Sequence, residues 1–282
     1  MNEYRQMIKN RRSQMLTPQE FQKRLASIRC FALDMDGTIY LGNSLFPWTL
    51  PFLETVKQTG RQFLFLTNNS SRGTIEYVEK LRRLGMDVAQ EHIYTSADAT
   101  LEYISKVGSI QRIYVLGTKP LINFFEVHGF IIEADNPDAV VLGFDLDFDY
   151  SRMHQACKLL RRGVPFFATH PDLNCPVENG DMMPDCGALA AALTAATGVK
   201  PKILGKPHAP MVEGMLARLG LRRDEIVIVG DRLMTDIAMG SQHKILTILV
   251  LSGETCLKDL QQSEVQPDFV IPSLRELKPY LT

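Results

Sequence analysis

Short apolar runs that alternate with helical patterns constrain the fold of this chain more than any other feature of its 282 residues. Each run ends in a polar or acidic residue, and the runs are FALDMD (31–36), FLFLTNN (63–69), IYTS (93–96) and EIVIVGD (225–231). Helices closed by glycine are predicted between them, at TIEYVEKLRRLG (74–85) and APMVEGMLARLG (209–220). This alternation predicts an α/β fold with a parallel sheet, in which the polar strand ends converge.

The middle of the chain has a strand and helix alternation of its own. Strands are predicted in RIYVLG (112–117), DAVVLGF (138–144) and PFFATH (165–170), with helical patterns between them. A helix of small residues, CGALAAALTAATG (186–198), follows and ends at its glycine. The sequence therefore predicts a second α/β unit inserted into the first.

A capping box marks the first predicted helix. Thr17 and Glu20 have the required spacing, Pro18 suits the first helical position, and Phe21 and Leu25 follow at helical spacing. The residues before this helix are basic and mostly polar, and no function is assigned to them.

Composition and charge exclude several classes of function. Hydrophobic residues make up 45% of the chain, and 31 basic against 32 acidic side chains leave a net charge of -1. Such a balance offers no broad attraction to nucleic acid or anionic lipid. The first residues lack the apolar core of a signal peptide, and no run approaches the roughly 18 apolar residues of a membrane span. We therefore expect a cytoplasmic protein that binds neither nucleic acid nor membrane.

The cysteines number five, and none of them forms a C-x-x-C pair. An odd, scattered set predicts free thiols and no zinc or redox site. A reactive thiol at Cys175 or Cys186, in a region that contains proline and glycine, is the alternative.

Two carboxylates, Asp34 and Asp36, follow the apolar strand that begins at Phe31. At about 4 Å and an effective dielectric constant of about 20, a like-charge pair costs about 4 kcal/mol, so a positive charge should lie beside it. Asp34 is suited to attack phosphorus as a nucleophile, and Asp36 to act as general acid and base. The alternative is an Asp-Gly turn in which both acids only cap the following loop.

A second pair of acids, Asp231 and Asp236, follows the last predicted strand. One of these carboxylates, together with Asp34 and a backbone oxygen, offers the hard oxygen ligands that suit Mg²⁺. The metal would be the positive charge that the acids require. Alternatively, Asp231 is a turn residue and Asp236 a helix N-cap.

Lys206 and Thr67 have the chemistry of phosphate ligands. Lys206 stands between glycine and proline, which present its cation from a fixed turn. Thr67 can donate its hydroxyl to a phosphate oxygen, assisted by the backbone N–H groups of the turn at Asn68 and Asn69. The alternatives are a solvated surface lysine and an ordinary threonine at the end of a strand.

The four segments together resemble the haloacid dehalogenase superfamily of phosphatases, whose four motifs they match in order. Further stretches resemble the NagD and para-nitrophenyl phosphatase branch, subfamily IIA: TNNS (67–70), TSADAT (95–100), FDLDFDY (144–150), GKPHAPM (205–211) and GDRLMTDI (230–237). The resemblance implies a Rossmann-like parallel-sheet core with a large inserted α/β cap of the C2 type. It also implies a helical extension at 1–28, a core formed by 29–108 together with 200–282, and a cap at 109–199.

The resemblance also implies the roles of the acids. Mg²⁺ would be held by the Asp34 carboxylate, the Asp36 backbone carbonyl and Asp231, with Asp236 supporting it through water. Asp34 would be the phosphorylated nucleophile and Asp36 the acid and base.

The phosphate ligands are implied in the same way. Thr67 and Lys206 would hold the phosphoryl group, and Gly37, Asn68 and Asn69 would complete its binding site. The implied activity is hydrolysis of a small phosphorylated metabolite, with nucleotides, sugar phosphates and similar compounds all open. Caps of this branch often mediate dimers, so a homodimer through the cap is compatible with the resemblance.

Two departures from the family lie in the cap. His170 stands where relatives typically carry asparagine, while Asp172 is retained, and Pro184-Asp185-Cys186-Gly187 replaces a glycine-rich sequence. The cap helps to choose the substrate in this family, so these departures leave the substrate open. His170 is either a substrate contact or a plain surface histidine. Two other functions also stay open: a phosphotransferase or mutase, and a non-catalytic phosphate-binding protein.

Overall fold

A six-stranded parallel sheet and a five-stranded parallel sheet organise the protein. The computed structural model describes residues 15–71, 73–176 and 181–281. It divides into a first unit, made of the described residues within Met1–Leu66, Leu81–Ile93 and Leu216–Thr282, and a second unit, Thr67–Lys80 with Tyr94–Met215. The α/β fold class is therefore confirmed.

The six-stranded sheet has the strand order β15-β14-β13-β1-β4-β5. Its strands are β1 (Cys30–Asp34), β4 (Gln62–Thr67), β5 (Ile93–Thr95), β13 (Ile226–Gly230), β14 (Leu246–Val250) and β15 (Phe269–Ile271). Every residue of β13 and β14 is buried, and β1 is buried up to its last residue. Burial of both faces explains why these strands are continuous apolar runs without polar alternation.

The register of this sheet decides which residues meet at its carboxyl edge. Leu33 pairs with Val229 of β13, and Asp34 pairs with Leu66 of β4. Asp231, which directly follows β13, therefore emerges beside the end of β1. Polar residues at these positions form the edge where open α/β sheets bind ligands.

Helices and one short antiparallel pair complete the first unit. The pair is β2 (Tyr40–Leu41) with β3 (Ser44–Leu45). The helices that lie wholly in this unit are α1 (Pro18–Leu25), α2 (Thr49–Gln58), α9 (Ala238–His243), α10 (Leu257–Gln262) and α11 (Lys278–Leu281). The predicted capping box of α1 is confirmed, because the Glu20 N–H donates to Thr17 Oγ1 and the Thr17 N–H donates to Glu20 Oε2 at 2.8 Å.

The five-stranded sheet has the order β12-β9-β8-β6-β7 and lies in the second unit. Its strands are β6 (Arg112–Leu116), β7 (Ile131–Ile132), β8 (Ala139–Leu142), β9 (Phe166–Ala168) and β12 (Lys202–Ile203). An antiparallel pair, β10 (Asn174–Pro176) with β11 (Met182–Pro184), accompanies it.

Two hydrophobic cores cover opposite faces of this sheet. In β8, Val141 belongs to one core and Val140 and Leu142 to the other, as expected from the two-residue period of a strand. The helices of this unit are α4 (Ser96–Val107), α5 (Lys119–Val127), α6 (Tyr150–Arg161) and α7 (Cys186–Thr197). Gly198 ends α7 in the left-handed conformation, as predicted.

Two further helices, α3 (Thr74–Arg83) and α8 (Ala209–Leu219), were both predicted from sequence and end before the glycines Gly85 and Gly220. The division into 1–28, 29–108 with 200–282, and 109–199 stays a prediction. Residues 1–14, which include most of the polar N-terminal segment, lie outside the described residues. No helix in the described ranges is long and apolar enough to cross a membrane.

Candidate active site

Three carboxylates converge at the carboxyl edge of the six-stranded sheet. Asp34 ends β1, Asp231 directly follows β13, and Asp236 lies in a π-helical turn, Leu233–Ile237, that leads into α9. One oxygen from each lies within 4.8 Å of the other two. The sequence motifs on two neighbouring parallel strands are therefore brought into one acid cluster.

Asp231 is the most constrained member of this cluster. Its side chain is buried, with a relative exposure of 2%, and its Oδ2 accepts the Glu254 N–H at 2.6 Å. Its Oδ1 is buried without a hydrogen-bond partner among the described residues. Burial first, and then the charge of Asp236, raise the pKa of Asp231 to about 7.

These features fit a bound divalent cation. A buried carboxylate oxygen without a hydrogen bond carries a desolvation penalty that a metal ion would remove. A metal ion would also offset the repulsion between the closely spaced carboxylates, and carboxylate oxygens are the ligands that hard cations prefer. Asp34, Asp231 and Asp236 can therefore hold a metal.

Glycine backbone closes tightly around Asp231. Gly37 has a φ of +80°, which favours glycine, and a Cβ at this position would lie against Asp231 Oδ2. A Cβ on Gly253 would lie against the same oxygen. The Ser252 hydroxyl donates to the Gly37 carbonyl at 2.7 Å and holds the two loops together.

Asp36 is not a member of the acid cluster. Its Oδ2 accepts the Tyr40 hydroxyl at 3.0 Å, and the Gly37 N–H donates to the Tyr40 carbonyl at 2.8 Å. The Tyr40 hydroxyl therefore orients the Asp36 carboxylate, which is not among the three grouped acids. The simple Asp-Gly turn does not explain the cluster, because Asp34 belongs to it.

The second unit contains four of the five residues predicted to bind phosphate, and Gly37 lies in the first unit. Asn68 Oδ1 accepts the Lys206 N–H at 2.8 Å, and Asn68 Nδ2 donates to the Lys206 carbonyl at 3.1 Å. The Asn69 N–H donates to Thr67 Oγ1 at 3.1 Å. Lys206 is buried, with 2% exposure, so it is not a solvated surface lysine. Sequence reasoning missed the bonds between Asn68 and Lys206, because no spacing links residues so far apart.

His170 is fully buried, so its interpretation as a surface histidine is wrong. Its Nδ1 lies 2.8 Å from Thr169 Oγ1, and its Nε2 lies 2.9 Å from Asp185 Oδ1. With Asp172 and Asp185 it forms a second cluster of groups within 4.8 Å. Both ring nitrogens have partners within the protein, so a contact with substrate would require one of these bonds to break.

All five cysteines are free, as predicted. Cys186 is the first residue of α7 and is fully buried, and burial raises the pKa of its thiol to about 12. A thiol with such a pKa forms almost no thiolate at neutral pH, which argues against a reactive cysteine at this position.

Two family models match the chain. Residues 31–131 match a haloacid dehalogenase-like hydrolase, and residues 203–277 match a HAD-hydrolase-like model. The matched segments contain the acid cluster, the Thr67 turn and Lys206.

Curated relatives are similar over most of their length. The 5'-nucleotidase YutF of Bacillus subtilis is 32% identical over 251 residues, which cover 89% of this chain and 98% of the relative. The acid sugar phosphatase of Staphylococcus aureus is 33% identical over 249 residues, covering 88% of this chain and 96% of the relative.

Solved structures match this chain over about nine-tenths of its length. The 4-nitrophenylphosphatase of Thermotoga maritima has a TM-score of 0.89 and 45% identity, covering 92% of this chain and 99% of its own. NagD of E. coli K-12 has a TM-score of 0.81 and 33% identity, covering 88% and 98%. The glycerol phosphate phosphatase of Mycobacterium tuberculosis, in complex with calcium, has a TM-score of 0.82 and 29% identity, covering 90% and 76%.

Similarity at this level, over nearly the whole chain, is shared ancestry and not a local motif match. The chain belongs to the haloacid dehalogenase-like hydrolase family. Within that family it is a phosphatase of the type represented by NagD and 4-nitrophenylphosphatase, subfamily IIA, with a cap domain.

Proposed function

We propose that this phosphatase hydrolyses small phosphomonoesters with Mg²⁺ through a phosphoryl intermediate on Asp34. The observation that carries the proposal is the cluster of Asp34, Asp231 and Asp236, in which one buried oxygen of Asp231 has no hydrogen bond among the described residues. A strand that ends in a nucleophilic carboxylate beside such a cluster suits phosphoryl transfer, because this reaction depends on positioning and on neutralising charge.

The acids divide between metal binding and chemistry. Asp34, the Asp36 backbone carbonyl and Asp231 would hold Mg²⁺, and Asp236 would support it through water. When bound, the ion neutralises the acid cluster and the charge of the phosphoryl oxygens. Calcium in the structure of the glycerol phosphate phosphatase of Mycobacterium tuberculosis supports a divalent metal in this family.

Asp34 attacks phosphorus in the first step. The bond from phosphorus to the Asp34 oxygen forms as the bond from phosphorus to the ester oxygen breaks. Asp36 gives a proton to the departing oxygen, so the product leaves as an alcohol. The Tyr40 hydroxyl, which donates to Asp36 Oδ2 at 3.0 Å, orients the acid for this transfer.

Water completes the cycle. Asp36, now ionised, removes a proton from a water molecule that attacks the phosphorus, and the bond to Asp34 breaks. Inorganic phosphate leaves, and both carboxyl groups return to their starting states.

The N–H groups of Gly37 and Asn69 already donate to the Tyr40 carbonyl and to Thr67 Oγ1, so they would bind phosphate only after leaving those bonds. Thr67 and Lys206 hold the phosphoryl group during both steps, together with the backbone N–H of Asn68. These are fixed donors and a point cation, the groups that stabilise charge without rearranging. Accelerations of phosphate-monoester hydrolysis reach about 10²¹-fold, so nucleophile, acid, cation and metal must act together.

The substrate is proposed to be a small phosphorylated metabolite. The relatives are named for nucleotides, sugar phosphates, 4-nitrophenyl phosphate and glycerol phosphate, which share only the phosphomonoester. Metabolites of this class, and five free cysteines, suit the reducing cytoplasm. A net charge of -1 gives no reason to expect nucleic acid or membrane as partners, and a homodimer through the cap stays a prediction.

The first experiment measures phosphate release from para-nitrophenyl phosphate with Mg²⁺, with EDTA, and after Mg²⁺ is restored. Asp34→Asn should abolish release, whereas Asp135→Asn, the same change on an exposed side chain, should not. The wild-type protein quenched during turnover should carry one hydroxylamine-labile phosphoryl group on Asp34. Folded protein that releases no phosphate from this substrate or from a phosphometabolite panel would overturn the proposal. Transfer to an acceptor without release would indicate a phosphotransferase.

A further inference from the structure

The side-chain amide of Asn68 is fully engaged within the protein. It accepts the Lys206 N–H at 2.8 Å and donates to the Lys206 carbonyl at 3.1 Å. Its Nδ2 also donates to Asp172 Oδ2 at 3.1 Å. An asparagine amide has two N–H donors, and both are used here. Only one orientation of the amide satisfies the donor and the acceptor of Lys206 together, so its assignment is unambiguous.

The surroundings leave Asn68 little freedom to move. The Ser96 hydroxyl, fully buried, donates to the Asn68 carbonyl at 2.5 Å. A Cβ on Gly205 would lie against Asn68 Oδ1 and the Thr169 carbonyl, so the chain before Lys206 passes as close as a glycine permits. Asn68 is itself buried, with 6% exposure.

We infer that Asn68 is a positioning residue for Lys206, an inference that rests on the function proposed above. By binding the N–H and the carbonyl of the same residue, Asn68 fixes the backbone from which the buried lysine side chain extends. Since its side-chain donors are used, Asn68 can contact phosphate only through its backbone N–H. Asp172 orients the amide from its other side, so it acts on Lys206 through Asn68.

This arrangement predicts a graded loss of function. A misplacement of about 1 Å in a catalytic group can cost about 100-fold in rate, so Asn68→Ala should lower kcat/KM about 100-fold. Asn68→Asp keeps an oxygen for the Lys206 N–H but loses both donations and faces Asp172 with a like charge. Its loss should be similar. Asp172→Ala removes only the outer bond and should cost less, on the order of 3- to 10-fold.

Two readouts separate positioning from general destabilisation. Inhibition by inorganic phosphate should weaken in parallel with kcat/KM, whereas the Mg²⁺ concentration for half-maximal activity should not change, because no metal-binding oxygen is altered. Amide hydrogen exchange at Lys206 should accelerate in Asn68→Ala and stay slow in Asn68→Asp, which keeps the acceptor. The control is Asn123→Ala, on the exposed surface of α5, which should match the wild type throughout.

The outcomes are distinguishable. Folded Asn68→Ala with wild-type kcat/KM and wild-type phosphate inhibition would overturn the inference and leave the phosphatase proposal intact. If Asn68→Ala does not fold, wild-type values in both Asn68→Asp and Asp172→Ala would overturn it equally. Wild-type protein that releases no phosphate would refute the proposed function instead, and unchanged exchange at Lys206 in Asn68→Ala would then refute the positioning contact separately.

Discussion

Replacing Gly253 with alanine tests whether tight packing of the backbone against the Asp231 carboxylate is needed for metal binding. A Cβ at this position would lie against Asp231 Oδ2, 2.5 Å from Asp231 Cγ and 2.7 Å from Asp231 Cβ. Carbon atoms in contact are normally about 3.5–4.0 Å apart, so atoms must move by about 1 Å. Gly253 does not have a left-handed backbone conformation, so the effect of alanine here is steric.

Asp231 has little room to accommodate the methyl group. It is 2% exposed, and its Oδ2 is held by the Glu254 N–H at 2.6 Å. Overpacking of one methyl group in a tight site costs about 1–3 kcal/mol. If the whole of this cost appears as weaker Mg²⁺ binding by the displaced carboxylate, the affinity for Mg²⁺ falls roughly 5- to 150-fold, since about 1.4 kcal/mol corresponds to a tenfold change.

The assay is a Mg²⁺ titration of para-nitrophenyl phosphate hydrolysis, with Mg²⁺ binding followed independently by calorimetry. Gly253→Ala should raise the half-maximal Mg²⁺ concentration at least fivefold, in keeping with an overpacking cost of about 1 kcal/mol or more. Gly73→Ala is the matched control, because its Cβ would lie 2.9 Å from the flexible end of Glu76 and otherwise in ordinary contact. Folded Gly253→Ala with wild-type Mg²⁺ affinity would refute the reasoning that Asp231 binds the metal from this tight pocket.

Three further predictions concern the second unit and the thiols. Arg152→Met leaves the buried Asp145 carboxylate without the ion pair at 2.7 Å and should lower the free energy of unfolding by about 3 kcal/mol. Burial already raises the pKa of Asp145, so the loss of stability in Arg152→Met, measured by chemical denaturation, should shrink as pH falls and the carboxyl is protonated. A loss of stability that grows on acidification would contradict the role of Arg152 as the ion-pair partner of Asp145. His170→Asn breaks at least one buried hydrogen bond and should cost about 1–3 kcal/mol in thermal unfolding with little change in kcat; unchanged stability with an altered substrate profile would instead indicate a substrate contact. Iodoacetamide at pH 8 should label exposed Cys256 and spare Cys186, whose pKa burial raises to about 12, and peptide mass spectrometry that finds Cys186 labelled in folded protein would contradict its burial.

Much of the candidate site could be predicted because its chemistry lies at strand ends. Asp34 and Asp231 each come at the end of an apolar run, and neighbouring parallel strands place such ends at the same edge of the sheet. Two strands of the six-stranded sheet were not predicted, Leu246–Val250 and Phe269–Ile271, and both end without a motif. Short buried runs of this kind cannot be separated from buried helix segments by periodicity alone.

Residues whose roles depend on distant partners could not be predicted. His170 carries no local signal of burial, and its environment is decided by Asp185, which directly follows the separate antiparallel strand pair β10 and β11. Asn68 was predicted to bind phosphate from its place in the Thr-Asn-Asn turn. That prediction concerns its backbone N–H and stays a prediction. The bonds of its side chain to Lys206 and Asp172, which are 138 and 104 residues away, could not be predicted from sequence.

The sequence by itself determined the class of protein and its reactive groups. Alternating apolar runs and glycine-ended helices allow little besides a parallel α/β fold, and the four motifs predict a nucleophile, an acid, a cation and metal ligands in order. The tertiary structure decided the environment of those groups: the Asp231 oxygen without a hydrogen bond, the glycines packed against it, and the amide that holds Lys206. Desolvation and packing depend on all neighbours at once, so they follow from the folded chain and not from any local pattern.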